Sequence, residues 1–324
     1  MDKMFKYGKE ITWSVPVLFQ YEPVWMAIYK VFQEYGLDIP FVNAYGSPAL
    51  AWTGGKCPAV SGEFDSNTLL KIYEYILSAK AIPTLIFTYS KITKDDLNDR
   101  YANYFLDVAL EVGAQFVVCS DLLKNYIREK KSDAYIISSL LKPIFEFQGK
   151  DKKQIPTIEN ETNYYNKLLK EYDRVVVRGE YSKNVLTKTP ELIDDISRIE
   201  VLINSSCIPD CPQAPSHYTF LESMRKTGGD PFFECVKFKN LNDNTCFKNT
   251  LFHSEETTKK LVDNGIKFLK IEGRCSNDIA QSLALQIFGR MFRQSGSNYL
   301  LIEELIHGAV DAEVMAFKKM LGIE

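Results

Sequence analysis

With 324 residues, 45% of them hydrophobic, the chain can bury one large core or two modest ones, which excludes a disordered polypeptide. Charged residues make up 25% of it at a formal net charge of -3. No global basic field therefore exists to attract a nucleic-acid backbone or an anionic membrane, and only a local basic pocket stays open.

The stretch Met1 to Glu10 mixes Lys3, Lys6 and Lys9 with Asp2 and Glu10, and the apolar run behind it is short and broken by Pro16. That pattern matches neither a signal peptide nor a membrane span. The seven cysteines then read as reduced thiols or metal ligands rather than a disulfide framework, and the expected compartment is the cytoplasm.

Short apolar, β-rich runs recur in chain order: Ile11–Leu18, Phe41–Tyr45, Thr84–Thr88, Phe116–Cys119, Tyr135–Ser138, Arg174–Arg178, Glu200–Asn204 and Lys267–Glu272. Near-continuous runs such as Val175-Val176-Val177 suit strands covered on both faces, as in a parallel sheet. Between them lie segments with helix punctuation: Thr93 before Lys94-Asp95-Asp96, and Ser254 before Glu255-Glu256 with Gly265 past the helix end. Eight strand–helix units in about 270 residues predict an α/β fold of the (βα)8 TIM-barrel type, in preference to an open doubly wound sheet. The expectation is one barrel domain over residues 1–324.

Two connections are long. Gln148 to Pro156 is lysine-rich and reads as a solvated loop. Ser205 to about Phe252 is a Cys/Pro-rich insertion between the seventh and eighth strands, holding Pro209, Pro212, Pro215, Gly228, Gly229, Pro231 and four cysteines. A ninth possible strand near Thr250–His253 lies at its end.

In a parallel barrel the strands' carboxyl ends carry the site, so polar residues ending apolar runs are the first candidates. On the eighth strand, period-two alternation puts Leu269 and Ile271 on one face and Phe268, Lys270 and Glu272 on the other. If the apolar pair packs on helices, Lys270 and Glu272 look inward. Arg274 and the helix start at Ser276-Asn277-Asp278 could hold an anion, or Ser276 could be a plain cap beside a structural Lys–Glu pair. Arg178, Glu180, Asn204, Ser138 and Lys142 would join them at one mouth, enough to bind a small anionic or highly oxygenated substrate.

The sharpest local feature is Cys207-Ile208-Pro209-Asp210-Cys211-Pro212. Two thiols four positions apart in a proline-shaped loop can converge on one ion, because thiolates are preferred ligands of zinc and of iron–sulfur clusters. Cys235 and Cys246 could complete four ligands, with Cys57, Cys119 and Cys275 as alternatives. Buried reduced cysteines are the bland reading. His217 fits a zinc ligand, an acid–base group or a helix-start residue. Glu304-x-x-His307 has half of a di-iron pattern and reads as a surface pair. Gly54-Gly55-Lys56 lacks phosphate-loop spacing, and no GxGxxG, HExxH or GxSxG is present.

The segment Ile199–Tyr218, with Asn204, Cys207-x-x-x-Cys211-Pro212 and His217-Tyr218, followed by Gly265-Ile266-Lys267-Phe268-Leu269-Lys270-Ile271-Glu272-Gly273-Arg274, resembles the collagenase-like peptidase family. The resemblance covers roughly a quarter of the chain, and its KIEGR-type ending is the more specific motif. It implies a barrel and, as in members that serve RNA and ubiquinone hydroxylation, a 4Fe-4S iron–sulfur cluster. Cys207 and Cys211 would be cluster ligands, and Glu272 and Arg274 would belong to the pocket. No nucleophile–base pair or zinc-protease motif accompanies it.

Three readings follow from the sequence. One is an iron–sulfur protein supporting hydroxylation of an RNA, a quinone or another small substrate. Another is a cluster-free or zinc-assisted barrel enzyme acting on a sugar or peptide, for example in surface polysaccharide metabolism. The third is a non-catalytic binding protein.

Overall fold

The computed structural model describes residues 7–54, 64–205, 207–227, 251–272, 280–292 and 297–322. Seven strands come first: β1 (Thr12–Val15), β2 (Phe41–Gly46), β3 (Ala81–Phe87), β4 (Gln115–Val118), β5 (Ile136–Ser138), β6 (Arg174–Val177) and β7 (Ile199–Leu202). Two short strands, β8 (Asn204–Ser205) and β9 (Leu251–Phe252), precede the last, β10 (Phe268–Lys270). β1 to β7 and β10 form a closed parallel barrel in which chain neighbours are sheet neighbours, and Trp13 paired with Leu269 closes the ring. Every expected strand run holds one barrel strand.

β3 begins earlier than expected, running through Pro83. β4 joins β3 only from Thr84 onward, so the proline lies where β3 has a neighbour on one side, a position that tolerates a missing donor. The ninth run is real but stands apart from the barrel. β8 and β9 pair antiparallel, Asn204 with Phe252 and Ser205 with Leu251, and form the neck of the insertion.

The helices are α1 (Glu22–Glu34), α2 (Ser66–Ser78), α3 (Arg100–Glu111), α4 (Asp121–Lys130), α5 (Leu141–Phe147), α6 (Ile158–Glu171), the single turn α7 (Gly179–Tyr181), α8 (Ala214–Thr227), α9 (Glu255–Asp263), α10 (Ala280–Met291) and α11 (Ser297–Leu321). Local chemistry fixes several starts: Asp65, Ser120, Thr157 and Ser254 each accept an amide three residues on. Thr93 is followed by a single 3-10 turn, Asp96–Asn98, and not by a full helix. Its amide and hydroxyl donate to the Asp96 carboxylate at 2.8 and 2.7 Å around one tight turn, and α3 begins later under Asp99, whose carboxylate accepts from the Ala102 amide at 2.7 Å. None of the helices among the described residues is long and apolar enough to cross a membrane. Glu304 and His307 are both exposed on α11, a surface pair.

Strand alternation sorts the core into two. Trp13, Val42, Leu85, Phe116, Val175 and Leu269 face outward and share one cluster with the helices. Tyr45, Ile86, Val117, Ile137 and Val176 face inward and form a separate apolar layer inside the ring. Gly46, ending β2, has no room for a side chain: a Cβ there would sit 1.9 Å from the Leu18 carbonyl oxygen. Because the obstacle is backbone, Gly46→Ala should cost about 3 kcal/mol in urea unfolding, as overpacking does. An unchanged unfolding midpoint would refute the packing described.

Candidate active site

The inward alternation of β6, β7 and β10 places Arg174, Glu200 and Lys270 inside the barrel. Arg174 Nη1 lies 3.0 Å from Glu200 Oε2, Nη2 donates to Gln115 Oε1 at 3.2 Å, and the guanidinium sits 3.7 Å over the Phe268 ring. Lys270 Nζ is 3.7 Å from Glu200 Oε1 and 4.2 Å over the Tyr45 ring. Burial raises the Glu200 carboxyl, but Lys270 and Arg174 together hold it below the ordinary carboxylate value. Lys270 thus faces inward, and its ion-pair partner is Glu200 of the neighbouring strand.

At the mouth, Arg178 follows β6 and is 2% exposed. Its Nη2 donates to Asp210 Oδ1, and its Nε lies 3.6 Å from both Glu161 Oε2 and Glu180 Oε2. The expectation that Arg178 leaves cationic capacity over for a ligand meets three carboxylates around that guanidinium. Burial pushes the Glu161 carboxyl up to about 7 despite the pull of Arg178, and the neighbouring Asp210 and Glu180 add to the rise.

Cys207 is half-buried and Cys211 buried, and both line one cavity of about 40 Å³ together with Arg178, Glu180, Leu202 and Tyr218. Asp210, between the thiols, turns the loop through the left-handed region at φ 47°. The Cys207 amide donates to Ser205 Oγ at 3.2 Å. Cys119, directly after β4, shares an apolar cluster with Cys211, Leu141, Ile144 and Tyr218, and burial pushes its thiol up to about 12, which opposes the thiolate form a metal needs. Cys235, Cys246, Arg274, Ser276, Asn277, Asp278, Cys57 and Cys275 lie outside the described residues. Among the described residues no three His, Cys, Asp or Glu side chains gather as a metal site.

His217 is on α8, its ring 6.2 Å from that of Tyr218; Tyr218 lines the cavity. No local pattern marks the role of α8. It starts at Ala214 beside Cys211, and its Glu222 accepts from the Ser90 amide at 3.0 Å and hydroxyl at 2.7 Å, just past β3. Ala214 clusters with Leu141 and Ile144 of α5, which follows β5, so α8 runs along the β5–β3 side of the barrel's carboxyl end.

Three other mouth candidates are held by contacts within the fold. Asn204 Nδ2 donates to the Glu272 carbonyl at 2.7 Å and Oδ1 accepts the Glu272 amide at 2.8 Å, so the side chain extends the β7–β10 ladder instead of offering an amide to a ligand. Ser138 points to the helices, because Ile137 before it belongs to the inner layer. Lys142 Nζ binds the Cys119 carbonyl at 3.1 Å and Asp121 Oδ1 at 2.9 Å. Glu272 is partly buried at the end of the inward-facing row.

Where the insertion returns, buried His253 places Nε2 2.9 Å from Ser182 Oγ. Burial, with Lys183 nearby, holds its imidazole down at about 4 against an ordinary 6.5. A depressed histidine contributes stability that is fully present above pH 6.5 and is lost as pH falls toward 4. Between pH 8 and pH 5 the chain should therefore lose about 2 kcal/mol more than its His253→Gln variant in urea unfolding. Parallel pH profiles would contradict the burial of that ring.

No family model matches this chain, and no curated protein does. Among solved structures, a U32 peptidase aligns over 81% of this chain and 93% of its own, at 11% identity and a TM-score of 0.46. The dihydropteroate synthase of Anaplasma phagocytophilum, solved with bound 6-hydroxymethylpterin-monophosphate, aligns over 87% and 99%, at 12% identity and a TM-score of 0.37. The fold rests on the strand order itself: the chain is a closed eight-stranded parallel α/β barrel with a pair of thiols at its carboxyl mouth.

Proposed function

We propose that the protein is a barrel enzyme whose mouth carries a thiolate-held metal centre on Cys207 and Cys211, acting on a small anionic or highly oxygenated substrate. The observation that carries the reading is that both thiols border one cavity at the carboxyl ends of β6 and β7, where barrel enzymes place their chemistry. Two thiols supply half of a four-thiolate set, and Cys235 and Cys246, in the same insertion, would supply the rest. Following the motif resemblance to the collagenase-like peptidase family, the centre would be a 4Fe-4S cluster and the reaction a hydroxylation of an RNA, a quinone or a similar acceptor.

When bound, such a cluster supplies electron transfer. The chain's own residues do the remaining work. Leu202, with Ala214 and Tyr218 of α8, lines the cavity with apolar surface, and Glu272 with Arg274 would meet the substrate. His217, one turn into α8, would be available for proton transfer at the rim.

The test is purification of the full chain without oxygen, followed by iron, sulfide and zinc analysis. About four irons per chain with matching sulfide and a brown colour support the cluster. Zinc alone at about one per chain would replace the cluster by a zinc-assisted site. Absence of any bound metal would overturn the reading and favour structural thiols.

A further inference from the structure

The middle of the thiol loop is gripped from the end of β6. Asp210 precedes Cys211 directly and follows Cys207 by three residues, and β6 takes hold of it twice: Arg178 Nη2 donates to its side chain, and Glu180 Oε1 accepts its amide at 2.6 Å. The grip is itself fixed. Arg178 is buried with Nε between Glu161 and Glu180, and its own amide donates to the Tyr165 hydroxyl at 3.1 Å, tying it to α6.

The loop needs such a hold. Asp210 adopts a left-handed backbone, which aspartate tolerates better than most residues but which still gains from contacts that hold it. The charges point the same way. Glu180 and Asp210 already place two carboxylates on the one guanidinium, with Glu161 beside them, which disfavours an anionic group docking on Arg178.

We infer that Arg178 and Glu180 are positioning residues: through Asp210 they set the spacing and direction of the Cys207 and Cys211 thiols and do not bind substrate. This rests on the reading of the two cysteines as a metal pair. Partners of this kind, one bond removed from the ligands, typically change metal affinity by about 10–100-fold when lost.

The test uses Asp210→Asn and Glu180→Gln in the full chain. Asparagine tolerates the left-handed turn, so the first change removes only the charge that Arg178 meets. Cobalt(II) titration of the metal-free protein, read by thiolate-to-cobalt charge-transfer absorption, should show affinity lowered by about tenfold in both variants. Hydrogen exchange of the Asp210 and Cys211 amides should accelerate in both while the barrel strands stay protected. Arg178→Lys, which keeps the charge without the fork, should fall between the wild type and Arg178→Gln.

Folded Asp210→Asn and Glu180→Gln proteins with wild-type cobalt affinity would overturn the inference, whatever their exchange rates. If the wild type binds no cobalt through thiolate, the metal reading fails by itself. Amide exchange then decides the clamp, with unchanged rates overturning it and faster rates supporting it.

Discussion

Replacing Glu200 with glutamine should destabilise the protein by about 3–5 kcal/mol, the loss expected when one partner of a buried ion pair is removed and the other is left behind. Glu200 is 1% exposed and serves two cations, Arg174 at 3.0 Å and Lys270 at 3.7 Å. Glutamine keeps the shape and a hydrogen-bond acceptor but leaves one buried and one partly buried positive charge inside one ring of strands. Urea unfolding at neutral pH measures the loss.

A triple replacement of Arg174, Glu200 and Lys270 by methionine should cost less than Glu200→Gln alone, because no uncompensated charge remains. Since Arg174 and Lys270 hold the Glu200 carboxyl below 4.5, its contribution is fully present above that pH and fades as pH falls through the lower folded value. A single variant within about 1 kcal/mol of wild type would mean the three groups are solvated, contrary to their burial.

The barrel was legible because its strands are covered on both faces. Val175-Val176-Val177 and Phe116-Val117-Val118 are apolar throughout, and such runs separated by capped helices leave few topologies open. Inward direction was legible as well, since Lys270 follows from alternation about Leu269. Partners were not. Arg174 and Glu200 stand 26 residues apart, and only the register that sets Val176 beside Glu200 brings them together.

Arg178 shows how position without partners misleads. Its place after β6 marked it as a mouth residue, and it is one, but Glu161 on α6 and Asp210 on the thiol loop both turn toward it. Neither contact has a local pattern. The placement of α8 depends on Glu222 reaching Ser90 across 132 residues, beyond any periodicity argument. Thr93 shows the opposite failure: its chemistry is right for a cap, yet one turn of helix follows before Asp99 takes over.

The thiol pair is the centre of the account, because it alone distinguishes a metal-bearing mouth from a barrel with buried cysteines. The serine double variant Cys207→Ser, Cys211→Ser removes both sulfurs with little change of volume, and its barrel can be checked by circular dichroism and urea unfolding. Metal content per folded chain, measured beside wild type after oxygen-free purification, is the deciding quantity. Wild type should carry metal, and the double variant should lose essentially all of it while keeping the barrel. Full retention of metal by the folded double variant would contradict this expectation.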